Sequence, residues 1–429
     1  MPAPTRLFVA AAPGVEPVVE HELRALSAVP SPFPQRIHDL RTVEGGVECD
    51  GDAALLLAAN LHLRCASRIL LRCGEVTARD FATLQRRVAD LPWDGFARRG
   101  QPLRVAVHAT AHRCRLYHTG ALAEAVLAAL TTRGFQVQAL DTGADGGLGD
   151  DGSAGAANDR PAAHDLGAAP AGESADLAVW LRGSGDRFTV SIDTSGALLH
   201  RRGWRTEEGA APLRETLAAA LCLLVGYRGD VPFCDPMCGA GTLVIEAALQ
   251  ALRRAPGLNR SFACERWPSH DPALLQALRA QAQAAERDPA DVRVHAPLFG
   301  RDRDPQVLAV AQRNAERAGV AHVVRFEVAD IVTARLPVGV APGLILCNPP
   351  YGRRIGGREL GGLYRALARF ARSSPGWRLG LLTASHDLAR LALRRSTMVP
   401  LRNGGLRVGL YSDALSGSAT PAQVLRAGA

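Results

Sequence analysis

The 429 residues are 47% apolar and contain no uninterrupted apolar run of about 18, so a globular chain of two or three domains is expected rather than a membrane protein. A formal charge of +8 favours a polyanionic partner. All 50 basic residues are Arg, which excludes any chemistry that needs a lysine, whether a P-loop, a Schiff base or a lysine general base.

Residues 1–17 carry one Arg and a short apolar patch broken by Pro13 and Gly14, a poor secretory signal. Residues 6–12, RLFVAAA, read as a strand, and 15–26 as an amphipathic helix with Val15, Val18, Val19, Leu23 and Leu26 on one side. Residues 54–73 read as a helix running into a strand, 81–93 as a helix, 103–110 as an alternating strand and 118–135 as a helix closing on Gly134. The stretch 141–175 is rich in Gly, Ala and Asp and reads as a flexible insertion. Residues 177–196 read as a hairpin turning at Gly183 to Asp186. Together these make a small α+β module, or two fused.

From about residue 200 the pattern changes. VPFCD, VHAPLFGRD, VVRFEVAD, GLILCN and WRLGLLTAS are short apolar strands separated by helical stretches, the alternation of a parallel sheet covered on both faces. Ligands of such sheets bind at the carboxyl ends of the strands. The first strand ends in DPMCGAGTLVIEAAL (235–249), where Gly239 and Gly241 permit a tight turn into a helix whose N-terminus faces the ligand. Val244 stands where a dinucleotide fingerprint needs its third glycine. The second strand ends at FGRDRDP: Asp302 is placed to accept both hydroxyls of a ribose and Asp304 to cap the next helix. Asp330, at the third tip, can accept from an adenine amino group.

The fourth strand runs into CNPPYGRRIG (347–356). Neither proline can donate to a sheet, so the strand stops and a rigid turn begins. The Asn348 oxygen and the Pro349 carbonyl can accept both hydrogens of a planar exocyclic amine, and Tyr351 offers a face on which a base stacks. Nine scattered cysteines indicate reduced thiols in a cytosol, and no second Cys/His pair at zinc spacing follows Cys234 and Cys238, so no metal is expected.

These motifs, in this order and spacing, resemble the S-adenosylmethionine site of class I N-methyltransferases. The lead-in LHRRGWRTEEGAAPLRETLAAAL (199–221) resembles that of the bacterial THUMP-domain guanine N2-methyltransferases of 23S ribosomal RNA. FVAAAPGVEPVVEHEL (8–23) and RCRLYHTGALAEAV (113–126) resemble that family's ferredoxin-like and THUMP portions.

The resemblance implies a ferredoxin-like part over 1–54, a THUMP domain over 55–198 and a Rossmann-like methyltransferase domain over 199–429 with a mostly parallel seven-stranded sheet. It implies S-adenosylmethionine held by Asp235, Pro236, Cys238, Gly239, Gly241, Thr242, Asp302, Asp330 and Asn348, with Asn348, Pro349, Pro350 and Tyr351 holding the target guanine. The second, guanine-N7 domain of longer relatives is not expected. The expected partner is 23S rRNA, then tRNA, with no membrane and no metal, and the expected location the cytoplasm. Arg353 and Arg354 stand where the family varies, and join the residues expected to meet RNA.

Arg113, Arg115 and Tyr117 read either as an RNA-backbone grip or as a solvated helix face with a buried Tyr. Arg201, Arg202, Trp204 and Arg205 read either as RNA contacts or as a solubilised linker. NPPY also serves DNA adenine and release-factor glutamine methyltransferases, and a non-catalytic ribosome-assembly factor is a further alternative.

Overall fold

The computed structural model describes residues 5–28, 36–140, 175–206, 213–336, 339–351, 357–393 and 395–413. The first half is one eight-stranded sheet with helices on one face. Its elements are β1 (Thr5–Ala11), α1 (Glu16–Ala28), β2 (His38–Val43), β3 (Gly46–Gly51), α2 (Ala53–His62), β4 (Ala66–Thr77), α3 (Phe81–Ala89), β5 (Pro102–His112), α4 (Thr119–Thr132), β6 (Gln136–Ala139), β7 (Leu177–Ser184) and β8 (Arg187–Asp193). The strand order is β2-β3-β1-β4-β8-β7-β5-β6. β4 pairs with β1 along one edge and with β8 along the other, so the two N-terminal units share one sheet across residue 54.

Alternation decides which face is covered. Leu7, Val9, Ile69, Leu71, Val190 and Ile192 point to the helices and join the main core, where α1 buries Val18, Val19 and Leu23 against them. Phe8, Ala10 and Leu70 point the other way and form a separate small cluster with Val43 and Trp180, which no described helix residue joins. The expected insertion lies outside the described residues except for Ala175.

The second half comprises α5 (Glu215–Leu224), β9 (Phe233–Asp235), α6 (Thr242–Ala251), α7 (Pro272–Ala284), α8 (Pro289–His295), β10 (Leu298–Asp302), α9 (Pro305–Arg317), β11 (Val324–Val328), β12 (Leu344–Cys347), α10 (Gly357–Arg372), β13 (Arg378–Thr383), α11 (His386–Ala392), β14 (Thr397–Asn403) and β15 (Leu406–Ser412). The order is β11-β10-β9-β12-β13-β15-β14, parallel from β11 to β13, with β15 antiparallel to both neighbours. This is the expected mostly parallel seven-stranded sheet. α5 and α6 are buried along their whole length and largely apolar, as helices between sheet and neighbouring domain must be, with Glu215 of α5 and Glu246 of α6 each paired to an Arg. Asp52, Asp80, Asp271, Asp288 and Asp304 cap the helices that follow them, each contributing about 1 kcal/mol.

The halves are joined by buried polar contacts. Glu22 of α1 accepts from the backbone N–H of Arg64 and Cys65, and Arg64 donates to the carbonyls of Leu249, in the last turn of α6, and of Arg254 just beyond it. Arg202 forms an ion pair of 3.3 Å with Glu246, both almost fully buried, and also donates to the Leu199 and Arg64 carbonyls. The Arg202 side satisfies the demands of burial, donating through all three of its nitrogens, whereas Glu246 Oε2 has no partner among the described residues.

Candidate active site

The carboxyl ends of β9, β10, β11 and β12 lie side by side on one edge of the second sheet. The β9–α6 loop is closed by its own Gly241 N–H to Cys238 carbonyl bond at 2.8 Å and held in place by its neighbours. Cys238 N–H donates to the Arg301 carbonyl at 2.7 Å, Gly239 N–H to Asp302 Oδ2 at 3.0 Å, and Asn314 Nδ2 of α9 to the Ala240 carbonyl at 3.1 Å. Gly239 (φ +54°) and Gly241 (φ +87°) take the left-handed backbone the turn requires. A Cβ on Gly239 would meet no atom within 4 Å, so the loop borders open space there. One on Gly241 would press on Ala311 at 3.1 Å. The turn is therefore a cradle on one side and a packing contact on the other.

Asp235 is buried with Oδ1 accepting from Met237 N–H at 3.2 Å. Burial pushes its carboxyl well above the ordinary range and the nearby Asp302 adds to the effect, while the Met237 bond opposes it. Pro236 and Cys238 form a buried wall, and burial likewise raises the Cys238 thiol, so it is no nucleophile. Thr242 is buried and its hydroxyl accepts from Arg205, and its backbone N–H is one of the first-turn donors of α6 that have no intrahelical acceptor.

Asp302 is half-buried. Its Oδ2 takes Gly239 N–H and its Oδ1 takes Asp304 N–H at 3.1 Å, which uses two of the roughly four acceptor positions of a carboxylate and leaves the others for a ligand. Asp304 caps α9, accepting from Gln306 N–H at 2.8 Å. Asp330 is exposed and closes a local turn through Val332 N–H at 2.8 Å.

β12 delivers Asn348 to the same edge. Its Oδ1 is buried and has no hydrogen-bond partner among the described residues, an arrangement that costs about 1–3 kcal/mol unless something donates to it. Pro349 is buried and Pro350 exposed. The turn is fixed by residues that sequence reasoning missed. Tyr364 of α10 lies with its hydroxyl 3.4 Å from the Pro350 carbonyl and 3.0 Å from Thr383 Oγ1, and Asn403 at the end of β14 donates to Tyr351 Oη at 3.1 Å. Nothing local to NPPY announces them, since they come from 14 and 52 residues away in the chain.

The expected RNA contacts divide. Arg113 (φ +52°), Arg115 and Tyr117 occupy an exposed loop between β5 and α4, with Tyr117 63% exposed and stacked 4.2 Å from His118. The reading of a helix face with a buried Tyr is thereby replaced. Arg201 is exposed, whereas Arg202 is 5% exposed and spent on Glu246, which corrects its assignment to RNA. Trp204 is buried, and Arg205 is a buried partner of Glu215 at 3.2 Å. Arg353 and Arg354 lie outside the described residues. Among the described residues no group of His, Cys, Asp and Glu is arranged to hold a metal, and no helix is long and apolar enough to cross a membrane.

A family model described as the RMKL-like methyltransferase domain matches residues 202–411, and one described as the RlmL ferredoxin-like domain matches residues 6–70; together they take in more than half of the chain. Among solved structures, SMU.472 in complex with SAH is 27% identical with a TM-score of 0.78, over 98% of this chain and 100% of that one. A predicted N6-adenine-specific DNA methylase from Listeria monocytogenes is 26% identical with a TM-score of 0.77, over 95% of this chain and 96% of that one. TrmN from Thermus thermophilus, at 20% identity and a TM-score of 0.60 over 95% of this chain and 98% of that one, is alike in fold.

Proposed function

Because this chain belongs to the RlmL-like, S-adenosylmethionine-dependent class I methyltransferases, we propose that it methylates the exocyclic N2 amine of a guanine in RNA, with 23S rRNA the first substrate and tRNA the second. The cofactor supplies a methyl group already electrophilic on its sulfonium. The protein's work is to align an amine with it and to exclude competing nucleophiles.

The observation that carries this reading is the buried, unpartnered Asn348 Oδ1. An acceptor kept unpaired beside an open cleft is satisfied by an N–H that arrives with the substrate, and the Pro349 carbonyl takes the second hydrogen of the same amine. Tyr351, with its hydroxyl tied to Asn403, stacks on the target ring. A paired base cannot reach such a turn, so the nucleotide enters flipped or single-stranded.

The cradle at Gly239 fits the cofactor. Asp235, Pro236, Cys238, Gly239, Gly241 and the Thr242 N–H surround its methionine end, the remaining acceptor positions of Asp302 take the ribose and Asp330 the adenine. Arg113, Arg115, Tyr117 and Arg201 hold RNA from the N-terminal side, as exposed guanidinium and aromatic groups do.

A second reading, adenine N6 of DNA, is favoured by the description of the Listeria protein and presents the same planar amine to Asn348. The deciding experiment offers radiolabelled S-adenosylmethionine with separated 23S rRNA, tRNA and DNA, followed by nucleoside analysis. Label in N2-methylguanosine of 23S rRNA upholds the proposal, label in tRNA changes the partner, and label in N6-methyladenosine or its deoxy form overturns the base assignment.

A further inference from the structure

The helix-free face of the N-terminal sheet carries chemistry that the methyl-transfer site does not use. A groove of about 320 Å³ opens on it, lined by Phe8, Arg72, Arg182, Ser184, Arg187 and Thr189, with Glu44 and Glu48 at its β2–β3 side. Sheet faces left without a helix are ordinarily polar. This one holds two stacks of aromatic ring and guanidinium. The Arg72 guanidinium lies 4.5 Å over the Phe8 ring, and Trp180 is stacked on the His108 ring at 4.3 Å with the Arg68 guanidinium 5.4 Å from its centroid.

Both guanidiniums are held in place by neighbours. Arg72 donates to Ser191 Oγ at 3.0 Å and to Glu48 Oε1 at 3.0 Å, and Arg68 is bound to Asp193. Holding a planar cation flat on an aromatic ring leaves its outer face as a ready stacking surface. The Trp180 indole Nε1 on the same face is buried without a hydrogen-bond partner.

The groove also has an exposed basic side. Arg182 and Arg187 lie at the β7–β8 end, where Arg187 pairs with the exposed Glu75 at 3.8 Å, an ion pair of little net worth. Arg115 N–H and the Arg79 guanidinium both bind Asp186 in the β7–β8 turn. The loop bearing Arg113, Arg115 and exposed Tyr117 therefore adjoins the groove.

We propose that this groove binds an unpaired nucleotide of the RNA substrate, its phosphates against Arg182 and Arg187 and its base stacked on the Arg72 guanidinium that Phe8 supports. The inference rests on RNA as the substrate and extends the grip from the Tyr117 loop onto the open sheet. Glu44 accepts from a base amine, and Glu48, already shared between Arg41 and Arg72, serves to fix the stacking plane. A duplex cannot offer a base face to a guanidinium buried in a groove, so the site selects single strands.

The test measures binding of the full chain to a short single-stranded RNA and to a blunt RNA duplex by fluorescence anisotropy across a salt series. The expected result is stronger binding of the single strand. Arg182→Glu with Arg187→Glu should weaken it about tenfold or more and flatten the salt slope by about 1.4, the value for two lost phosphate contacts. Arg72→Lys, which keeps the charge and loses the plane, should weaken single-strand binding roughly fivefold while leaving the duplex unaffected. Thermal melting and S-adenosylmethionine binding, measured on each variant, should match the parent.

Parent-like affinity in the double variant overturns the groove as an RNA surface, even if RNA is methylated. An equal loss on duplex in Arg72→Lys overturns the stacking assignment. Failure of the parent to bind either RNA overturns the site outright. Loss of binding in the variants of a parent that transfers no methyl to RNA upholds the groove and overturns the substrate reading instead.

Discussion

Replacing Asn348 by Ala separates function from stability in a way few substitutions do. In the free protein Asn348 Oδ1 is buried without a donor, which costs about 1–3 kcal/mol. Truncation removes that orphan acceptor and a small amount of packing, about 1 kcal/mol by area. Asn348→Ala is therefore expected to melt at the parent temperature or slightly above it. The same change deletes the group that aims the amine, for which a loss of about 10²- to 10³-fold in kcat, 2.7–4 kcal/mol, is the scale for a single positioned hydrogen-bonding group. Cofactor affinity should be unchanged. The assays are differential scanning fluorimetry, calorimetric titration with S-adenosylmethionine, and single-turnover methyl transfer. A variant that melts well below the parent yet transfers methyl at the parental rate would show Asn348 to be a structural residue and refute the reasoning.

Asp302→Ala should weaken cofactor binding before anything else, because it removes both the proposed ribose acceptor and the anchor of Gly239 N–H; unchanged affinity on titration would dismiss the ribose role. Arg202→Met leaves Glu246, 1% exposed, as an uncompensated buried charge and should cost about 3–5 kcal/mol in urea unfolding, whereas pairing it with Glu246→Leu should restore most of the loss. If Arg202→Met alone proved neutral, the pair would not be what joins the halves. His108, stacked on Trp180, has its imidazole pulled down to about 4 by burial, with the Arg68 guanidinium acting in the same sense. It stays neutral when folded but takes a proton below pH 6.5 when unfolded, so its contribution is fully present above 6.5 and is lost as the pH falls toward 4. His108→Phe should accordingly reduce the slope of stability against pH in that window by about 1 kcal/mol per pH unit, allowing for its partial exposure; an unaltered slope would count against a buried neutral imidazole.

The strand tips were legible because each carries its own local mark. Gly239 and Gly241 are glycine where the backbone turns left-handed, and Pro349 and Pro350 end β12 where no donor is possible. The two edge hairpins escaped notice for opposite reasons. β2, HDLRTV, buries almost nothing and has no apolar alternation to read, while β14 and β15 flank an Asn403-Gly404-Gly405 turn that was a usable signal. Residues 294–297 read as part of a strand, but α8 takes in Val294 and His295 because Pro289 at its start and the Asp288 cap nucleate a helix.

What a single sequence does not carry is pairing over distance. Arginine is ordinarily exposed, so nothing in RRGWR distinguishes Arg201, which is exposed, from Arg202, whose partner Glu246 lies 44 residues on. Tyr364 and Asn403 likewise look like ordinary helix and strand residues until the fold brings them to the turn they fix.

The ion pair between Arg202 and Glu246, with Arg64 and Glu22 behind it, has a consequence for how a target is chosen. It welds the N-terminal sheet to α6, the helix that opens at the Gly239 turn, so the span between the two is a fixed length. On the proposed function such an enzyme would behave as a gauge, modifying the unpaired guanine that falls at the set distance from the anchored strand, and a change in the weld should move the mark along the RNA rather than erase it.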